Sequence, residues 1–293
     1  MQILDLTHIK WNKNITSYSS GGAYLKASID GRFLFDDKGN CTAFSAKHNW
    51  DDNPNVNTNR KYFLKLSNYD DEYGFIGSES VYEFIASKFG QLLGLDVLDC
   101  FLIKARIEYN NCEHIVYVHA AQDFAASDVT KTIFERLYVL EKTPGETRLA
   151  FLQRIGFEDC ANEMLLFDYL IYNRDRHCNN LEFLKNGVIQ LAPLFDNGIS
   201  FFAPYAGKRR EIEAFDVLSN KITNNDFGSR YLENNLQLIT NTAIRIPKFN
   251  EADLRNELFS KLDEDALPAW HRNKVLELLL KRMQHANKIL NNR

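Results

Sequence analysis

No apolar run in the 293-residue chain approaches the ~18 residues that a membrane-spanning helix needs. The longest, such as Glu163 to Ile171, are interrupted by acids. The N-terminus, Met-Gln-Ile-Leu-Asp-Leu-Thr-His-Ile-Lys, lacks the basic-then-apolar pattern and small-residue cleavage site of a secretory signal. The expectation is a cytoplasmic protein with no membrane partner. Cysteine is scarce too: Cys41, Cys100, Cys112, Cys160 and Cys178 are odd in number and nowhere at C-x-x-C spacing. That argues for reduced thiols rather than a disulfide framework or a thiolate zinc site. Excess positive charge is missing, since 35 Lys and Arg face 39 Asp and Glu for a net −4. No global field attracts nucleic acid, and direct nucleic-acid binding is not expected. Repeats and low-complexity stretches are also absent. What remains is an ordinary globular composition, 45% hydrophobic and 25% charged, in a chain long enough for two lobes.

The first ~45 residues alternate apolar and polar positions around Gly and Asp-Gly turns. Ala23 to Phe35, with Asp30-Gly31 inside, reads as a hairpin. Residues 51–60 are a loop of Asn, Asp, Pro and Thr, and Lys61 to Leu66 is a strand. Val81, Phe84, Ile85, Phe89, Leu92 and Leu93 recur at helical spacing, with Gly94 where a C-cap belongs. Two strands follow, Val97–Ile107 and His114–His119. Helical patterns begin at roughly 131–141, 146–155 and 158–173. A β-like insertion spans Leu181 to Leu194, and the tail from Glu251 to Leu290 is helical with a break at Pro268. The predicted fold is α+β and bilobal, with a β-rich N-lobe over 1–123 and a mainly helical C-lobe over 124–293. This is the layout of the protein kinases.

Phosphoryl transfer requires a carboxylate near the attacking hydroxyl, oxygen ligands for Mg²⁺, a cation on the nucleotide phosphates, and a backbone cradle over them. Asp175 and Asn180 have the separation of the kinase motif H-R-D-x-x-x-x-N, so one loop presents a base and a metal ligand. Asp196 follows after a hairpin and precedes Asn197-Gly198, where kinases place their principal Mg²⁺-binding Asp. Any one of these reads as a plain turn, because Asp, Asn and Gly favour turn geometry. Their joint order and spacing point to Mg·ATP chemistry. Lys65 within a strand and Glu83 on the next helix fit the cation that contacts the α/β-phosphates and the glutamate that pairs with it. Ser17 to Lys26 contains Gly21-Gly22 and is a candidate phosphate-covering loop, though a Gly-Gly hairpin reads equally well.

These residues resemble the HipA-like serine/threonine kinases, particularly the family's shorter members. Gly22-Ala23-Tyr24-Leu25-Lys26 resembles its G-A-x-x-K loop, and Glu83, Ser87 and Leu92-Leu93-Gly94-Leu95 resemble its E-x-x-x-S-x-x-x-x-L-L-G-L helix. Asn173-Arg174-Asp175-Arg176-His177-Cys178-Asn179-Asn180 resembles N-x-D-R-H-x-x-N, and Phe195-Asp196-Asn197-Gly198 matches F-D-N-G. The resemblance implies an ATP- and Mg²⁺-dependent protein kinase. It further implies a hinge at Ala121-Gln122-Asp123-Phe124, with adenine beside Gln122 and Phe124 and the ribose near Asp123. It makes Ser19 the candidate for silencing autophosphorylation in the Gly-rich loop, with Ser17 and Ser20 as competitors. The chain lacks the additional N-terminal region of full-length HipA toxins, so an antitoxin partner stays open, and the protein substrate is not specified.

D-R-H-x-x-N also resembles the catalytic loop of phosphoinositide 3-kinases, so either Asp175 or His177 is the base. A kinase for a small molecule or lipid headgroup shares the carboxylate spacing, with Lys208-Arg209-Arg210 offered to an anionic substrate or simply solvated. A nucleotide-binding pseudokinase in a toxin–antitoxin module is the non-enzymatic alternative.

Overall fold

The computed structural model describes residues 2–12, 24–35, 43–45, 58–124, 129–241 and 244–292. Strands β1 (Ile3–Asp5), β2 (Lys26–Asp30), β3 (Ala43–Ser45) and β4 (Lys61–Lys65) come first. A two-stranded ribbon, β5 (Tyr69–Asp70) and β6 (Gly74–Phe75), then leads into helix α1 (Glu79–Leu92). The hairpin of β7 (Cys100–Tyr109) and β8 (Cys112–Gln122) completes a six-stranded sheet in the order β1-β7-β8-β4-β2, with β3 also on β7. All its pairings are antiparallel except β1 with β7. The long hairpin turns on Asn110 and Asn111, whose φ values of 52° and 59° are those of a type I′ turn. Asn tolerates that conformation, and the turn's twist suits the flanking strands.

Asp30-Gly31 behaves differently from the hairpin expected there. The chain enters a 3-10 helix at Gly31–Leu34, and β2 pairs instead with β4, in the register Lys26↔Lys65 to Asp30↔Lys61. The predicted alternation was right for β2, but its partner lies some thirty residues on.

Helix α1 joins the sheet to the rest of the molecule. Its apolar positions Val81, Phe84, Ile85 and Phe89 are buried, and so are Glu79, Glu83 and Lys88. A helix buried all round must carry its polar groups into an interior where each needs a partner. Gly90 is required by close approach: a Cβ there would lie 2.6 Å from Val97 Cγ1.

The C-terminal part begins with a strand, β9 (Thr130–Ile133), where the sequence pattern predicts a helix from 131. β9 pairs with β10 (Glu182–Asn186), which pairs with β11 (Val188–Leu191). Three β-tending residues, Thr130, Thr132 and Ile133, find an edge to join, and the helix starts only at Phe134. Helices α2 (Phe134–Glu141), α3 (Arg148–Arg154), α4 (Glu158–Leu170), α5 (Arg209–Glu213), α6 (Leu232–Leu236), α7 (Glu251–Phe259) and α8 (Ala269–Asn291) form the body. Among the described residues no helix is long and apolar enough to cross a membrane. The break near Pro268 separates α7 from α8, as its missing N–H and fixed φ require.

Arg282 of α8 holds this body behind the loop that follows α4. Its side chain is buried and donates to the carbonyls of Val217 (2.7 Å), Tyr169 (3.0 Å) and Ser219 (2.9 Å), with its guanidinium over the rings of Tyr169 and Tyr172. Arg282→Met keeps much of the volume but removes the guanidinium donor from the carbonyls of Val217 and Ser219 and one of the donors on Tyr169, so we expect a loss of about 2–4 kcal/mol. Urea unfolding checks this, as a lower midpoint at unchanged slope.

Candidate active site

α4 ends at Leu170, and Tyr172, with φ of 54°, reverses the chain into the loop 173–180. Two loop residues turn inward. Asn173 donates to Asp168 Oδ1 at 2.9 Å and accepts the backbone N–H of Asp175 at 3.0 Å. Arg176, with no solvent exposure, forks onto Asp168 through Nε and Nη2 at 3.0–3.2 Å. Its remaining donors reach the carbonyls of Asn180 (3.2 Å) and Phe195 (2.9 Å) and the side chain of Asn197 (2.6 Å). One guanidinium therefore bolts the 173–180 loop to the 195–198 loop, with Asp168 supplying the counter-charge that makes its burial tolerable.

Because Asn173 and Arg176 point in, Asp175 points out. Its carboxylate accepts a hydrogen bond from Asn224 Nδ2 at 2.6 Å and lies 3.8 Å from His177 Nε2. His177 Nδ1 accepts the Asn179 N–H at 3.2 Å, which places the proton of the neutral ring on Nε2, facing Asp175. Asn180 donates its amide to the Asp175 carbonyl at 2.8 Å, and this fixes the side chain with its Oδ1 as the end left for a ligand.

Each residue of Asp196-Asn197-Gly198 has a separate reason. Asp196 adopts φ of 56°, unusual for a residue with a Cβ, and its carboxylate pairs with Lys65 Nζ. Asn197 receives Arg176 on its side chain and donates its backbone N–H to Glu83 Oε1 at 2.8 Å. Gly198 passes so close to α1 that a Cβ would sit 3.2 Å from both Glu79 O and Glu83 Oε2. The expected Lys65–Glu83 pair is thus replaced by Lys65–Asp196, because Glu83 turns to take the Asn197 N–H. Lys65 still feels the Glu83 charge.

The charges are strongly coupled. Burial alone would push the Asp196 carboxyl up, but Lys65, Lys26 and Arg176 hold it down at about 2. Burial disfavours the Lys65 ammonium, yet Asp196 and Glu83 keep it protonated well above the usual lysine value. Lys26, cross-strand from Lys65, has its ammonium weakened by burial and by that like charge, which Asp196 partly offsets. Burial raises Glu83. His119 is held at about 3 by burial and by Lys65.

The cleft these groups border has a volume of about 770 Å³ including its open mouth. Its inner wall carries Lys65, Glu83, His119 and Asp196, and its outer part carries Phe63, Gln122, Phe124 and Phe195. Tyr62 donates to Gln122 Oε1 at 3.1 Å, and the Phe124 and Phe195 rings lie 5.9 Å apart. Asp123, expected beside a ribose, instead accepts Lys131 Nζ at 2.5 Å, and that ammonium lies 4.5 Å above the Phe124 ring. Gly21, Gly22 and the serines 17, 19 and 20 lie outside the described residues. Tyr24, the first described residue after them, has its ring 4.9 Å from Lys65 Nζ. Of the 208–210 cations, Lys208 pairs with Glu211, and Arg209 with Glu213 over the ring of Trp270.

Sequence reasoning missed Arg176, Asn224, Lys131 and Glu182. Arg176 stood within the quoted motif, but nothing in a loop's sequence says which side chains turn inward. Among the described residues, no group of three or more His, Cys, Asp or Glu could hold a metal. Asn180 and Asp196 nevertheless suit Mg²⁺, which takes few protein oxygens and completes its shell with phosphate and water. Glu83, His119 and Glu182, which border this cleft, each carry a buried polar atom without a hydrogen-bond partner among the described residues.

A sheet region and a helical region meeting at a cleft lined by a strand lysine and a metal-type aspartate define the protein-kinase-like fold. The Helicobacter pylori proinflammatory kinase CtkA matches at a TM-score of 0.58 and 16% identity, covering 98% of this chain and 99% of that one. At that identity the likeness is one of fold. Shewanella oneidensis MR-1 HipA, solved with HipB and operator DNA, scores 0.44 at 15% identity over 93% of this chain and 67% of its own. Hydra Fam20, solved with sugar, scores 0.40 at 13% identity over 95% and 85%. No argument rests on those two. No family model and no curated protein matches the sequence. The resemblance to HipA-like kinases drawn from the motifs therefore holds at the level of fold.

The Lys65–Asp196 pair gives a pH signature. Asp196 titrates lower in the folded chain than the ordinary 3.8, so its stabilisation is complete above pH ~4 and is lost as the pH falls through about 2. The raised Glu79, Glu83 and Glu182 work in the opposite direction. Asp196→Asn is expected to lower the melting temperature at pH 6 and to converge with the unaltered protein near pH 2. Thermal melts across that range check it, and a gap that is constant with pH contradicts it.

Proposed function

We propose that the chain is a kinase that transfers the γ-phosphate of Mg·ATP to a serine or threonine of a protein. The carrying observation is that Arg176 fastens the Asp175/Asn180 loop to the Asp196 loop, beside a cleft that also holds Lys65. The sheet region, residues 1–123, acts as the nucleotide-covering lobe, and residues 124–293 as the catalytic lobe.

In this reading Asn180 and Asp196 would hold Mg²⁺, which when bound would supply positive charge against that developing on the phosphates. Asp196 stays ionised at every physiological pH because of Lys65 and Lys26, so it is always available as a ligand. Lys65 would supply the cation for the nucleotide phosphates. Gln122 and Phe124 border the base, and Gly21-Gly22 covers the phosphates. Asp175 accepts the acceptor hydroxyl's proton. His177 is its positioning partner, since the tautomer set by Asn179 turns an N–H, not a lone pair, toward Asp175. Protein rather than anionic small-molecule substrates are supported by the local neutralisation of Lys208 and Arg209. Ser19, in the phosphate-covering segment, is the candidate for autophosphorylation, where about −2 of added charge would repel nucleotide. A partner of antitoxin type and a cytoplasmic location belong to the same reading.

Incubation with γ-labelled ATP and Mg²⁺ tests it. Wild type is expected to label itself, with Ser19 as the site found by mass spectrometry. Asp175→Ala and Asp196→Ala are each expected to lose at least roughly 10²-fold in rate. Equal labelling of all three proteins would falsify the assignment.

A further inference from the structure

Two residues beyond Asn180, Glu182 opens β10 with its backbone opposite Ile133 of β9. Its side chain is only 4% exposed, and Oε2 has no hydrogen-bond partner among the described residues. It borders the cleft together with Phe63, Gln122, Phe124 and Lys131. Lys131, on the same cleft, makes its ion pair with Asp123. An acid so buried, next to aromatic rings and without a full partner, destabilises the chain that carries it. No fold requirement explains it, because an apolar residue would fill the same strand position at no such cost.

The surrounding groups define what would satisfy it. The rings of Phe63, Phe124 and Phe195 border the cleft, with the Lys131 ammonium over Phe124 and Phe63, and aromatic rings of this kind suit a planar heteroaromatic ligand. Gln122 has its carbonyl oxygen occupied by Tyr62, so its NH₂ end is the one left to a ligand. The wall therefore combines aromatic rings, one amide donor, the Lys131 ammonium held by Asp123, and one carboxylate that can only accept while ionised.

We propose that Glu182 is the base-reading residue of this cleft, its carboxylate accepting a hydrogen bond from the exocyclic amine of a purine nucleotide. Adenine, the base of the nucleotide proposed above, offers that amine to the one unpartnered oxygen, Oε2. A purine without the amine leaves Glu182 desolvated and unpaired. The proposal rests on the nucleotide reading of the cleft given above.

The test is the affinity of the full chain, with Mg²⁺, for ATP and for purine riboside 5′-triphosphate, which lacks only the amine. Wild type, Glu182→Ala and Glu182→Gln are titrated by calorimetry. Wild type is expected to prefer ATP by roughly tenfold or more, since a buried acceptor left unpaired is costly. Glu182→Ala should abolish the preference by losing ATP affinity while keeping that for purine riboside triphosphate. Glu182→Gln, which retains an acceptor oxygen, should keep part of it. The melting temperature of ligand-free Glu182→Ala should equal or exceed that of wild type. An unchanged preference in Glu182→Ala overturns the proposal alone. A lowered melting temperature with equal losses for both nucleotides marks a structural role and also overturns it. Failure of wild type to bind either triphosphate overturns the nucleotide reading itself, and this proposal with it.

Discussion

The buried guanidinium of Arg176 is the constraint on which the site depends. Its counter-ion, Asp168, lies on α4, and its other partners belong to two loops separated by more than a dozen residues. Such a group must satisfy nearly all its donors or destabilise the fold, so the two loops have little freedom to shift relative to each other. That rigidity fixes where Asp175 and Asn180 stand with respect to Asp196. It also explains the local sequence, since Asn173 and Arg176 turn in so that Asp175 and His177 turn out.

A second level of organisation is the balance of buried charge across the cleft. Glu83, Asp196 and Glu182 bring acid, while Lys65 and Lys26 bring base, and Arg176 lies just behind. Glu83 is partly satisfied by the Asn197 N–H, and Asp196 by Lys65. Oε2 of Glu83, both ring nitrogens of His119 and Oε2 of Glu182 have no hydrogen-bond partner among the described residues, and all three residues border this cleft. Burying such groups costs free energy that apolar residues in their place would not.

Much of this was legible in sequence where the chemistry is local. Asp175, Asn180 and Asp196 stand out by spacing, and α1 by its period. Lys65 is marked by its place in a strand, although the two-residue period cannot say whether it faces water or a cleft. Tertiary choices were illegible. Nothing at Asp30-Gly31 reveals that β2 waits for β4. Thr130 to Ile133 is strand only because β10 supplies an edge. Lys65 has two acids within electrostatic reach, and the choice of Asp196 follows from a backbone N–H at Asn197 that claims Glu83. Asn224 reaches Asp175 from a loop 49 positions away, with no motif to announce it.

The central claim is that Arg176 sets the register of a phosphoryl-transfer site. The most direct measurement is ATP turnover by a protein in which the pair is replaced together, Arg176→Met with Asp168→Leu. Removing the pair together avoids leaving one buried charge uncompensated, but Asn180 O, Phe195 O and Asn197 Oδ1 lose their donor, so the variant is expected to fold with a lowered melting temperature. With the loops no longer tied to each other, turnover measured below that melting temperature should fall by about 10²-fold or more. A folded double variant that transfers phosphate at the wild-type rate would contradict the account.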